Sequence, residues 1–129
     1  MRRVVSIFIC LFFILIYSSV ISFSQTDLSG RWEGTTEVPD MGEDELILVL
    51  KKDNGSYTGT ISDSMGMLME TEIEDVEIED NTLTFNFTVF TGEDYMKVYV
   101  TLNVEGEKMS GYWETEDGSS GSIELEKVE

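Results

Sequence analysis

Residues 82–104 read TLTFNFTVFTGEDYMKVYVTLNV, and the order of apolar and polar positions in this stretch decides the fold. Leu83, Phe85, Phe87 and Val89 alternate with Thr84, Asn86 and Thr88, and after Thr91–Asp94 the alternation resumes with Met96, Val98, Val100, Leu102 and Val104. A period of two places each apolar set on one face of a half-buried strand. The interruption Thr-Gly-Glu-Asp is short enough for a hairpin, so the two segments are read as antiparallel neighbours. No segment after residue 25 shows the 3.6-residue period of a helix.

The same pattern extends in both directions. Gly30–Val38 places Trp32, Gly34, Thr36 and Val38 on one face, and Pro39 ends that strand because proline cannot donate to a ladder. Glu45–Lys52 turns Leu46, Leu48 and Leu50 inward, and Asp53-Asn54-Gly55-Ser56 is hairpin chemistry leading to Tyr57, Gly59 and Ile61. Leu68–Glu79 reads as one strand whose inward set Met69, Thr71 and Ile73 changes parity before Val76 and Ile78. That change predicts a β-bulge near Glu74 and Asp75. Met109, Gly111 and Trp113, then Ile123 and Leu125, complete an expected eight strands.

Hairpin-length connections throughout favour an up-and-down meander over a Greek key, which needs a long crossing connection. The expected class is therefore all-β, an eight-stranded antiparallel barrel, with an interior that either packs solid or holds one small ligand. In a meander, successive connections alternate between the two barrel ends. Asp53–Ser56, Glu79–Thr82 and Glu105–Lys108 are uniformly tight, whereas Pro39–Asp44, Asp63–Met67, Thr91–Asp94 and Asp117–Ser120 are mostly longer. One closed end and one open end are expected, with binding at the longer loops.

The N-terminus has a different character. Met1-Arg2-Arg3 precedes an apolar run from Val4 to Tyr17, and Ser22, Phe23 and Ser24 offer small residues around a cleavage point before Gln25. Residues 1–24 are read as a helical signal peptide cleaved after Ser24, leaving a domain over 25–129 that is periplasmic or extracellular. Val4–Phe23 is also long enough for a retained membrane anchor. Cys10 lies inside the apolar run after Ile9, where a lipidation site requires a small residue, and that disfavours a lipoprotein.

Residues 1–24 carry Arg2 and Arg3 and no acid, so their removal leaves 6 basic side chains against 26 acidic ones and takes the net charge from −18 to −20. Such a surface repels nucleic-acid phosphates and anionic membranes and attracts cations, whether a basic protein, a cationic amphiphile or a divalent ion. Solubility alone is the plainer reading. The chain contains no histidine, and its one cysteine lies in the leader. A Ser-His-Asp triad, a Cys-His pair, an imidazole metal ligand and a disulfide are all excluded from the domain. Two-carboxylate hydrolysis stays open chemically, but a domain of about 105 residues leaves little room for a core and a cleft together. No enzyme and no cofactor are expected.

Gly30-Arg31-Trp32 at the start of the first strand resembles the Gly-X-Trp signature of lipocalins and their calycin relatives. Leu28–Trp32 and Gly55–Thr60 are also similar to opening strands of avidin-type barrels and small bacterial lipocalin-like domains. The resemblance implies that Trp32 plugs the closed end, with Lys127 standing where lipocalins place an arginine over that tryptophan. Departures are the lack of a terminal helix and the shorter strands. Asp94-Tyr95 resembles a second lipocalin motif but falls between the wrong pair of strands.

Met41, Met65, Met67 and Met69 lie on or beside the longer loops, with Met96 near a third. Flexible thioethers suit a site that adapts to apolar ligands, although they equally well cap a core. Met65–Met69 also offers soft sulfur to Cu(I). With Phe87 from the interior, Met41, Met65, Met67, Met69 and Met96 form the candidate ligand site, ringed by Asp40, Glu43, Asp44, Asp63, Glu93, Asp94, Glu116 and Asp117. An apolar pocket with that rim favours hydrophobic or cationic amphipathic molecules over fatty acids. Glu70, Glu72, Glu77 and Glu79 form an outward acid row that is either solvated or a cation site. Two functions follow: a binder of a small hydrophobic or amphipathic ligand, or an inhibitor-like module for a basic extracytoplasmic partner.

Overall fold

The computed structural model describes residues 27–129. The signal peptide expected over residues 1–24, its helix and its cleavage point lie outside the described residues. The strands are β1 (Gly30–Val38), β2 (Gly42–Asp53), β3 (Ser56–Asp63), β4 (Thr71–Glu72), β5 (Glu74–Glu79), β6 (Thr82–Phe90), β7 (Tyr95–Glu105), β8 (Lys108–Thr115) and β9 (Ser120–Lys127). They form one sheet in the order β4-β3-β2-β1-β9-β8-β7-β6-β5, with neighbouring strands antiparallel throughout. The end strands β4 and β5 are consecutive in the chain and separated by Ile73 alone, so the sheet curls back on itself as a nearly closed meander barrel.

There are nine strands where eight were expected, and the difference lies in Leu68–Glu79. β4 pairs β3 through Thr60↔Glu72 and Ile61↔Thr71, while β5 pairs β6 and leaves β3. Ile73 marks the change of partner: its side chain is buried in the core, and its N–H donates to the Gly59 carbonyl at 3.1 Å. The expected bulge is present as a register shift between Glu74 and Glu77, with Asp75 in the left-handed region at φ 53°. A bulge bends its strand and adds local twist, which suits the corner where the sheet curls back.

The inward sets agree with the alternation elsewhere. Leu46, Leu48 and Leu50 from β2, Leu83, Phe85 and Phe87 from β6, and Val98, Val100 and Leu102 from β7 share one core with Ile123 and Leu125 from β9. Met69 is a correction. It was expected inward, yet it is 82% exposed, and its neighbour Leu68 occupies the core at 8% exposure. The cause is that Leu68–Glu70 belongs to a loop rather than to a strand, and Glu70 at φ 48° breaks the alternation before β4 begins.

Trp32, fully buried, seals one end. Its indole N–H donates to the Leu28 carbonyl at 3.0 Å, and Lys127 Nζ stands 5.8 Å from the ring centroid while reaching the Asp27 carbonyl at 3.3 Å. Tyr57 closes the same end, its hydroxyl accepting from Leu28 N–H at 3.0 Å. All three two-residue turns, Asn54-Gly55, Asp80-Asn81 and Gly106-Glu107, lie at this end. Gly34, beneath the plug, is required by close approach: a Cβ there would stand 1.8 Å from the Glu124 carbonyl oxygen of β9.

Candidate ligand cavity at the open end

Between Trp32 and the opposite end the packing thins. Leu48, Leu50, Leu83, Leu102 and Met109 fill the sealed half. In the other half lies a cavity of about 340 Å³, with walls from Leu46, Ile61, Phe87, Val98, Val100 and Ile123. This lies within the size range of small-molecule sites. The cavity opens where the β1–β2, β3–β4, β6–β7 and β8–β9 connections gather, which is the end the turn lengths point to.

Of the sequence candidates, Met67, Phe87 and Met96 line the cavity. Met41, Met65 and Met69 do not; they stand exposed on the surface of the same end, joined by Phe90 and Tyr95, whose rings are 5.1 Å apart. The expected pocket methionines thus divide into wall and rim. The division follows from Leu68: with its side chain in the core, Met67 on one side lines the cavity while remaining partly exposed, and Met69 on the other faces outward. Trp113, another wall residue, is fixed by a hydrogen bond from its Nε1 to Thr36 Oγ1 at 2.8 Å, and Thr36 donates on to the Ser122 carbonyl at 2.7 Å.

Three acids that were read merely as members of the rim line the cavity: Asp40, exposed in the β1–β2 connection, and, set deeper, Asp44 and Asp63. Asp44, expected in a loop, lies inside β2 because that strand begins at Gly42, and it is only 2% exposed. Its Oδ1 accepts from Ser64 Oγ at 2.8 Å and from Met65 N–H at 3.2 Å. Asp63, at the end of β3, accepts from Leu68 N–H at 2.7 Å through its own Oδ1, and Asp63 N–H donates to the Leu68 carbonyl at 3.2 Å. One oxygen of Asp44 and one of Asp63 therefore hold the Ser64–Glu70 loop. The other oxygen of Asp63, Oδ2, is buried with no partner. Burial, followed by the neighbouring Asp44 carboxyl, pushes Asp63 above the ordinary carboxylate value.

The outer acid row is broken by the strand division: Glu72 lies on β4, and Glu77 and Glu79 lie on β5. Among the described residues no group of three or more Asp, Glu, His or Cys side chains gathers in a metal-holding arrangement. The cations are segregated. Arg31, Lys51, Lys52, Lys108 and Lys127 sit on strand segments at the sealed end, and Lys97 on the outer face of β7 stands nearest the opening. The ion pair between Arg31 and Glu33 at 2.8 Å also lies toward the sealed end, on the outer face.

No protein-family model matches the sequence, and no curated protein matches it. Solved structures do share the architecture. A redesigned β-barrel, mFAP1, solved bound to DFHBI, superposes with a TM-score of 0.61 at 16% identity, covering 78% of this chain and 94% of the other. A de novo designed fluorescence-activating β-barrel superposes with a TM-score of 0.56 at 18% identity over the same shares. These likenesses establish a barrel fold and no family, so the lipocalin likeness of Gly30-Arg31-Trp32 stays a resemblance of motif and architecture.

Proposed function

We propose that this chain is an exported, non-enzymatic barrel, periplasmic or extracellular after loss of residues 1–24, that binds one small hydrophobic or amphipathic molecule at its open end. The observation that carries the reading is the cavity of about 340 Å³ beside a well-packed sealed half. A barrel of this length has enough side chains to fill itself, yet here the fill stops midway. The likeness to a designed barrel solved with DFHBI supports the reading, because it is a barrel of similar architecture solved with a small molecule.

Native mass spectrometry of the protein isolated from its own compartment tests it. A retained molecule in one-to-one ratio, lost in a variant whose cavity is filled, is the expected result. A barrel that arrives empty and takes up neither octanol nor a hydrophobic dye overturns it. The exposed rim of Met41, Met65, Met69, Phe90 and Tyr95 supports a second reading, capture of a basic protein partner across the opening. Capture that weakens steeply with salt would favour it.

A further inference from the structure

We propose that Asp44 and Asp63 make the open end selective for a protonated amine, so that the ligand class is an amphipathic organic cation whose ammonium group sits at the acid pair and whose apolar body fills the cavity. The inference rests on the binding reading above and sharpens it from any apolar molecule to a charged one.

Both acids line the cavity together with the apolar side chains of Leu46, Ile61 and Leu68, and the exposed Asp40 adds a third acid to the lining. A buried acceptor without a donor is costly, because it has lost water and gained nothing in exchange. Asp63 Oδ2 is such an acceptor. Holding the loop does not account for it, since Asp63 Oδ1 alone accepts from Leu68 N–H. The only buried side-chain atom in the same position elsewhere among the described residues is Asn86 Oδ1, which is not on the cavity wall.

Among the described residues no basic side chain supplies the missing donor, and the Asp44 carboxyl beside Asp63 does so only while the two acids share a proton, which an ammonium group would displace. Five of the six described cations are on segments at the sealed end, and Lys97 is on the outer face, paired in register with Thr88. Meanwhile Asp40, Glu43, Glu93, Asp94, Glu116 and Asp117 stand on the connections or strand ends around the opening. The opening is therefore a negative field around an apolar hole, and an approaching cation is drawn along it. A divalent metal fits less well. Asp40 also lines the cavity, but among the described residues no three acids gather closely enough to hold a metal, and two carboxylates bounded by leucine and isoleucine provide too few oxygens for a hard ion. An ammonium group needs only two or three acceptors and brings its own apolar tail.

The test is an isosteric series, octylammonium, octanol and octanoate, titrated into the wild-type barrel and D63N, with binding read by calorimetry at constant ionic strength. Octylammonium is expected to bind at least roughly tenfold more tightly than octanol, and octanoate more weakly than either. In D63N the ratio of ammonium to alcohol affinity should fall to about one, whatever the absolute affinities become. D44N should reduce the ratio also, but Asp44 is buried under the loop, so its variant counts only if circular dichroism shows the native fold. Octanol binding with no ammonium preference would overturn this inference and leave the binding reading standing. Failure of all three probes to bind would overturn both. A wild-type preference that survives intact in D63N would place the cation elsewhere and overturn the assignment of the acid pair.

Discussion

Replacing Val98 by phenylalanine asks whether the cavity is real space in the folded protein. Val98 is buried and lines the cavity, between Phe87 and Thr115 in register. Added bulk in a well-packed core costs about 1–3 kcal/mol because neighbouring side chains leave their rotamers. At Val98 the extra ring has about 340 Å³ of space to enter. V98F should therefore unfold within about 1 kcal/mol of the wild type, while adding apolar burial worth about 25 cal/mol per Å² as partial compensation. Leu102→Phe, on the same strand but fully buried in the sealed half, is the control. It should lose the full overpacking penalty of about 1–3 kcal/mol, near 4–8 °C in Tm for each kcal/mol in a domain of this size. Urea unfolding measures both variants, and octanol titration should show binding by V98F reduced at least roughly tenfold. Equal destabilisation of V98F and L102F, or undiminished octanol binding by V98F, would refute the account of a half-filled barrel.

Other consequences are open to direct measurement. Trp32→Ala should cost about 3–5 kcal/mol in urea unfolding because it empties the sealed end, and Trp32→Phe should cost about 1–3 kcal/mol through the unpaired Leu28 carbonyl. Gly121→Ala places a Cβ 2.0 Å from the Glu37 carbonyl oxygen and 2.6 Å from Trp113 Nε1; it should break the Trp113–Thr36 hydrogen bond, shift tryptophan fluorescence and destabilise the barrel by about 1–3 kcal/mol. Burial, reinforced by Asp44, raises Asp63 in the folded state, so folded protein holds that proton more tightly than unfolded chain. Its contribution to stability therefore falls as pH rises from the unfolded value of 3.8 through the raised folded value, and D63N should remove this slope and be more stable at neutral pH. Asp27 and Asp117 are lowered by hydrogen bonds, from the Ser29 backbone and from the Thr115 hydroxyl respectively, so their contribution is lost as pH falls from 3.8 through their depressed values; denaturant midpoints across pH 2–8 separate the two trends.

Much of the barrel was legible because strand alternation is a local property. A residue's face in β6 or β7 is set by its two chain neighbours, so Leu83, Phe85, Phe87, Val98, Val100 and Leu102 could be placed before any partner strand was known. The parity change near Asp75 was visible for the same reason, and hairpin counting separated the tight end from the open one. Chemistry at the wall was not legible. Asp44 and Asp63 are 19 positions apart, and each looks like an ordinary loop acid among 26 acidic residues.

What the sequence determined unaided, then, is a ribbon of alternating strands with Trp32 inside and an acidic exterior. Tertiary structure decided where Leu68–Glu79 divides, whether Leu68 or Met69 enters the core, and which carboxyls line the cavity. Those outcomes depend on contacts with β2, β3 and β6, which belong to no single stretch of chain. A loop residue has no period to follow; it faces whichever neighbour the closed barrel brings to it.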